Sequence, residues 1–545
     1  LVYCGGFPGV LPPFPSYCLL SGIRAAFFPF HIVLRGKRAE TARVRRMSGK
    51  KRLFPLRLEI LPAGVYNVRI TVTGRNVMSP SEIGGLVGGI IAAVIVIFFA
   101  ALVIRTVLHR PKDAPGKAQD LPEIDKDAAV RHLREAIRIP TVSMVEDYAD
   151  NVQPFIDYRN WLEKTYPLLN AAAEREIIAD YSIIYRLKGT DPSLKGGCFL
   201  SHIDVVPAPK DGWEYDPFEA VLTDDGYIYG RGAQDMKSHM IALLEAVEYH
   251  LAHGRKFARD LYLCFGHDEE PGNSIVGASS IVRHLKAKGV EMEFVLDEGG
   301  TVLDGKLLGI PHTVALIGAC EKGNGDLELV VRKSGGHASN PKPPTAVGLL
   351  SAAVEKVEKH PMKTRWTNMT KETFKSLSPY CKGAFKFILT NRDVFSPLLK
   401  FVFTKAAPMT NALVRSTFAP TMLWGSDARN VIPKEARATS NSRKSTGETA
   451  QDVKSYLNKL LGDKVEVNLQ TYSDPSPEAD VHCEAYERLR DTIVNTFDDI
   501  VVAPYMFIAA SDARFYNPLT DNVFRFGPFI NTLDDQSRIH GVNER

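Results

Sequence analysis

Four apolar runs in this chain end abruptly in acids or histidines, and that pattern narrows the folds open to it. The clusters are Ser201-His202-Ile203-Asp204, Gly230-Arg231-Gly232-Ala233-Gln234-Asp235, His267-Asp268-Glu269-Glu270 and Leu296-Asp297-Glu298-Gly299-Gly300. The runs Gly197–Ser201, Leu261–Phe265 and Phe294–Leu296 predict buried strands. Between and before them, apolar residues recur at helical spacing: within 127–138, from Met240 to Leu251, and over Ile275–Leu285. Strands alternating with helices predict a largely parallel α/β sheet. In such sheets sites form beyond the carboxyl ends of the strands, so one sheet edge can gather all four clusters.

From about Glu321 the texture changes. Leu327–Val331 alternates like a half-exposed strand, Ala346–Lys359 reads as a helix, Ala436–Ser442 as a strand and Ala450–Leu461 as a helix. Residues 361–420 are aromatic and basic with no clear period. This predicts an inserted second domain over 321–463. A helix at Glu484–Phe497 then returns the chain to α/β texture.

Upstream, Gly84–Ile104 reads GGLVGGIIAAVIVIFFAALVI, 21 residues without a charge. That is long enough to span a bilayer as one helix. It predicts an uncleaved single-pass anchor over 83–105, followed by a polar, Pro-containing linker over 106–122. Arg105, Arg110 and Lys112 follow the run and Arg43–Arg57 precede it, so both orientations stay open. The first residue is Leu1. Residues 1–46 are compositionally odd and Met47 and Met78 offer later starts, which leaves the authenticity of 1–82 open. The net charge of +4 is too small to argue for nucleic acid, and seven scattered cysteines without a CxxC pair argue against a disulfide framework or a cysteine metal cluster.

The clusters carry the chemistry. Residues two apart in an extended chain share a face, which sets Asp204 beside His202; a carboxylate there fixes a ligating histidine's tautomer. Singly, each cluster fits a bland role: a surface hydrogen bond, a solvated turn, a helix cap. Gathered on one edge, six or more acids and histidines need a cation to offset their charge. Mixed histidine and carboxylate ligands suit zinc. Two ions ~3.5–4 Å apart need a bridging ligand, commonly one carboxylate.

Seven ordered blocks over residues 125–545 carry a resemblance: SHIDVVPAP, YGRGAQDMK, FGHDEEPGN, VLDEGG, SGGHASNP, NVIPKEARATSNSR and IHGVNE. They resemble the co-catalytic zinc peptidase family of aminoacylase, acetylornithine deacetylase and carboxypeptidase G, and within it carboxypeptidase S and the related N-acyl-amino-acid hydrolases. The resemblance implies a catalytic α/β domain in two parts, 123–320 and 464–545, around an α+β lid or dimerisation domain at 321–463. It implies two zinc ions per chain bridged by Asp235, one also held by His202 and Asp297, the other by Glu270 and His540. Asp204 would orient His202. Glu269 would be the general base that activates a zinc-bridging water. His337 in the lid would polarise the scissile carbonyl, and Asn430 and Arg443 would hold the substrate and its carboxylate. The family continues past IHGVNE with a final helix, whereas this sequence stops at Arg545, so 464–545 is expected to be truncated.

The expected activity is release of a C-terminal amino acid from short peptides or N-acyl amino acids. The alternatives are an aminoacylase-type N-fatty-acyl amino acid hydrolase or synthase, and a non-catalytic membrane-anchored binding protein of the same fold. Glu269 and every implied ligand are present, which argues against the last. The resemblance and the anchor together imply a vacuolar, lysosomal or secretory location, with a homodimer through the lid as one arrangement.

Overall fold

The computed structural model describes residues 31–34, 66–69, 79–143, 152–271 and 276–545. The expectations about residues 1–78 and about Ile275 lie outside the described side chains. Two units, 1–101 and 102–545, are taken separately. The first holds an antiparallel strand pair, His31–Leu34 with Tyr66–Arg69. It also holds most of helix α1, Pro80–Leu108. The helix has a mean hydropathy of 3.1 over its most apolar stretch and is long enough to cross a membrane. Length and composition carry that statement, and no more.

In the second unit the strands, in chain order, are β1 (Glu174–Ile178), β2 (Ser182–Leu187), β3 (Gly196–His202), β4 (Leu261–Gly266), β5 (Met292–Asp297), β6 (Thr301–Asp304), β7 (Thr313–Glu321), β8 (Gly323–Arg332), β9 (Thr417–Trp424), β10 (Glu435–Lys444), β11 (Glu466–Tyr472), β12 (Ile500–Phe507) and β13 (Val523–Arg525); two-residue strands are named by their residues. Nine of these form one sheet in the order β6-β7-β13-β5-β3-β4-β2-β1, with β12 beside β7.

The expected largely parallel sheet is corrected to a mixed one. The pairs β3–β4, β3–β5, β5–β13 and β7–β12 are parallel. The pairs β1–β2, β2–β4, β6–β7 and β7–β13 are antiparallel. Crossover helices force the parallel pairs: α3 (Lys237–Ala252) lies between β3 and β4, and α4 (Ala278–Ala287) between β4 and β5. A tight turn, with Ala179 and Asp180 at positive φ, makes β1–β2 a hairpin instead.

Strand β4 is buried along its whole length. Its side chains alternate between two cores, as the two-residue repeat of a strand requires. Leu261, Leu263 and Phe265 pack with Met240, Ile241 and Leu244 of α3. Tyr262 and Cys264 pack with Ile281, Val282 and Leu285 of α4. Helices on both faces explain why this strand reads as a continuous apolar run.

A second, antiparallel sheet runs β9-β10-β8-β11. Leu327, Leu329 and Val331 of β8 turn one face toward α5 (Ala346–Lys359) and α9 (Ala450–Leu461). Between α5 and β9, where the sequence shows no period, the chain forms α6 (Asn368–Leu377), α7 (Gly383–Thr390), α8 (Arg392–Ala406) and a short helix, Pro408–Leu413.

Candidate active site

Parallel pairing of β3 with β4 sets the site. In register, His202 at the end of β3 lies opposite Gly266 at the end of β4, so the Glu269-Glu270 loop begins level with the histidine. Asp204 fastens the two together. Its Oδ1 lies 3.3 Å from His202 Nδ1 and 3.3 Å from the Glu269 amide, which donates to it. Its Oδ2 accepts from the Glu270 amide at 3.1 Å and from the Ser143 hydroxyl at 2.6 Å. Asp204 and His202 are buried. Burial opposes charge on Asp204, but its bonds to His202 and Ser143 hold its carboxyl below the usual range.

On its other side His202 meets Asp235. Nε2 lies 3.1 Å from Asp235 Oδ1 and 3.5 Å from Glu298 Oε1. The second Asp235 oxygen, Oδ2, lies 3.0 Å from His540 Nε2, which is also 3.0 Å from Glu270 Oε2. One carboxylate thus offers a different oxygen to each of two histidines. Two sets of donor atoms, His202/Asp235/Glu298 and Asp235/Glu270/His540, each fall within 4.8 Å and share Asp235.

Asp297 stands outside both sets. It is buried, and its oxygens accept the amides of Glu298 at 2.9 Å and Ala513 at 2.8 Å. The adjacent Glu298 reaches the histidine instead.

The charge balance of the site favours cations. Burial, then the neighbouring Asp235 charge, pushes Glu298 up to about 8. Burial likewise raises Glu270, and its Oε1 is buried with no hydrogen bond among the described residues. Bonds to Asp235 and Glu270 push His540 up to about 10. Crowded carboxylates, histidines aimed at a shared aspartate and an orphaned carboxylate oxygen fit a pair of divalent ions held by nitrogen and oxygen.

Glu269 differs from its neighbour. Its side chain makes no hydrogen bond among the described residues, and burial pushes it well above the ordinary carboxylate range. His267 and Asp268 shape the turn. His267 Nδ1 pairs with the Ser182 hydroxyl at 2.6 Å. Asp268 accepts the amides of Val276 and Gly277.

His337 lies on a two-residue strand, Gly336–His337, paired with Val431–Ile432, and Asn430 immediately precedes the latter. The Ala338 amide donates to the Asn430 carbonyl at 2.9 Å. Both residues are exposed. Among the described residues, no hydrogen bond or ion pair joins them to the carboxylate–histidine group. Arg443, on β10, does reach the site electrostatically: it feels Glu269 and a second cation, Arg514.

Sequence reasoning missed Glu544. This carboxylate is fully buried and pairs with Arg231. Its Oε1 accepts the amides of Gly232 at 3.0 Å, Gln234 at 2.8 Å and Asp235 at 3.1 Å. It folds the loop that carries Asp235, and Arg231 in turn donates to the His540 and Gly541 carbonyls. The only sequence signal was its place in the IHGVNE block.

Residues 198–545 match the model of peptidase family M20/M25/M40. The chain is 35% identical to N-fatty-acyl-amino acid synthase/hydrolase PM20D1 of Xenopus tropicalis over 462 residues, covering 84% of this chain and 90% of that one. It is 36% identical to probable carboxypeptidase S-like 2 of Dictyostelium discoideum over 422 residues, 76% of this chain and 80% of that one. The fold is similar to the M20 family metallo-carboxypeptidase Sso-CP2 of Sulfolobus solfataricus, with a TM-score of 0.57 at 19% identity, covering 77% of this chain and 94% of that one. With the matched region running from β3 through His540, the chain belongs to peptidase family M20/M25/M40 and is a metallopeptidase or amidohydrolase of that family.

Proposed function

We propose that this chain hydrolyses the amide of N-acyl amino acids, including fatty-acyl ones, at a site for two zinc ions bridged by Asp235. The carrying observation is the division of Asp235 between two histidines. His202 and Glu298 would hold one ion, Glu270 and His540 the other. The metal pair, when bound, supplies the Lewis acidity that makes water a nucleophile at neutral pH. Glu269 takes the proton from that water and returns it to the leaving amine. Arg443, with Arg514 near it, meets the amino acid's carboxylate through a planar fork of donors. Asn430 and His337 approach the substrate from the antiparallel-sheet domain at 321–463, which acts as the lid, and His337 stabilises the developing oxyanion.

The fatty-acyl reading is supported by the relative covering 84% of the chain, which is named for that substrate class. The carboxypeptidase S-like relative supports a second reading, short blocked peptides. The apolar helix α1 supports a single-pass anchor, and with the carboxypeptidase S-like relatives it fits a vacuolar or secretory location. A homodimer through the 321–463 domain belongs to the same proposal.

Two measurements test it. Metal analysis of the purified chain should give two zinc per chain. Glu269→Gln should keep both and lose turnover by about 100-fold or more, the range of a positioned general base; a variant that stays active removes Glu269 from this role. A panel of long-chain N-acyl amino acids against blocked dipeptides then decides between the two substrate readings.

A further inference from the structure

Helix α8 is apolar on both sides. Inward, Phe395, Leu399 and Phe403 join the cluster that contains Phe374 and Val501. Outward, Val394, Leu398, Phe401 and Val402 are 42%, 48%, 63% and 45% exposed. Their spacing, i, i+4, i+7 and i+8, sets them in one stripe along the helix. Phe385 of α7 and Met409 just beyond α8 are also exposed. Single exposed apolar residues need no explanation, but a contiguous stripe marks a surface that something covers. The segment that carries it is basic, although Lys400 itself turns inward, with its Nζ 5.7 Å from the Trp366 ring centroid. Between residues 382 and 405 stand Lys382, Lys386, Arg392, Lys400 and Lys405, against one acid, Asp393.

The end of α1 docks beside this helix. Asn391, which precedes α8, donates to the Leu102 carbonyl at 3.3 Å and to the Thr106 hydroxyl at 2.9 Å. Arg105 lies 3.6 Å from Asp393, and His109 Nε2 lies 2.9 Å from the Ser378 hydroxyl. Leu102, Arg105, Thr106 and His109 all belong to the second unit, and Arg105 is the first charge after the apolar run of α1.

We propose that the outer face of α8 is a membrane-docking surface, which seats the catalytic unit on the bilayer that α1 crosses. The inference rests on reading Gly84–Ile104 as a span. Aromatic and branched residues along one stripe, flanked by lysine and arginine, are the composition of a helix lying in a bilayer interface. A second copy is the poorer occupant, because two such cationic faces would repel, whereas acidic lipid headgroups attract them. Docking of this kind would hold the site close to acyl chains that partition into lipid.

The full chain reconstituted into phosphatidylcholine/phosphatidylserine vesicles tests this. An environment-sensitive fluorescent amino acid is placed by codon suppression at Phe401, at Ile95 within the span, or at Tyr472, an exposed site on the other sheet. Spin-labelled lipids then act as quenchers. Quenching and a blue-shifted emission are expected at positions 95 and 401, with neither at 472. Lys405→Glu should reduce the quenching at 401. Quenching at 95 with a water-exposed signal at 401 overturns the proposal and leaves the span intact. A blue shift at 401 that lipid does not quench, and that grows with protein per vesicle, assigns the face to a second copy and also overturns it. An unquenched signal at 95 overturns the spanning reading itself.

Discussion

Replacing Glu544 tests whether the site depends on one buried carboxylate far from it in sequence. Its two oxygens have separate tasks: Oε1 accepts three backbone amides of the Asp235 loop, and Oε2 pairs with the buried Arg231. Glu544→Gln keeps an acceptor for the amides but sets an amide NH2 against the guanidinium. Breaking a buried ion pair on one side costs about 3–5 kcal/mol. Glu544→Ala also strands three buried donors, each worth about 1–3 kcal/mol, though a shared network makes the sum smaller than its parts. The expected order is therefore parent, then Gln, down by about 3 kcal/mol, then Ala, down by about 5 kcal/mol or more. Urea unfolding of the purified chain gives the stabilities, and metal content gives the integrity of the Asp235 loop. Both should fall in that order. Glu544→Ala within about 0.5 kcal/mol of the parent, the range of an ordinary surface change, and with full metal content, would refute the reasoning.

Further outcomes follow from the same geometry. Glu298→Ala should lose metal while unfolding near the parent, whereas Asp297→Ala should lower the unfolding midpoint, because two buried amides lose their acceptor; metal analysis beside calorimetry separates them. Glu269 must be ionised to act, and burial raises its pKa, so kcat/KM should fall with decreasing pH along a limb above the ordinary carboxylate value of about 4.3. Removing the limb in Glu269→Gln would assign it. Arg443→Ala should raise KM for carboxylate-bearing substrates about 10- to 100-fold, the value of a charge-assisted hydrogen bond of ~1.5–3 kcal/mol. Leu263→Ala, at a fully buried position of β4, should cost about 2–5 kcal/mol in urea unfolding with little change in kcat.

The legible parts of the fold are those where one local signal decides. Strands β3, β4 and β5 and the helices between them follow from apolar runs separated by amphipathic segments, and α5 and α9 span the residues their periodicity predicts. The β1–β2 hairpin was hidden because its turn residues, Ala179-Asp180, are not the usual Asn-Gly pair. Helix α8 was hidden because it is apolar on two faces, which erases the period, and carries Pro397 inside it. At the site, the His202–Asp204 pair is legible from strand alternation alone. Asp297 against Glu298 is not. The strand ends at Asp297, and the direction of the next side chain depends on a turn that includes Gly299 at φ +97°. Glu544 was illegible because its partners lie about 310 residues earlier in the chain.

The place of β13 in the main sheet sets a timetable for biosynthesis. It pairs with β5, Val523 opposite Val295, although roughly 230 residues separate them. At a synthesis rate of ~5–20 residues per second, β5 waits about 11–46 s for that neighbour. Throughout the wait it presents an open row of backbone donors and acceptors, the kind of edge that recruits other chains. Meanwhile the antiparallel sheet β8–β11 emerges complete and pairs only within itself. Truncations that end between β11 and β12 should therefore yield a folded small sheet attached to an aggregating half-sheet, and expression of the whole chain should depend on chaperones that shield β5 until its partner arrives.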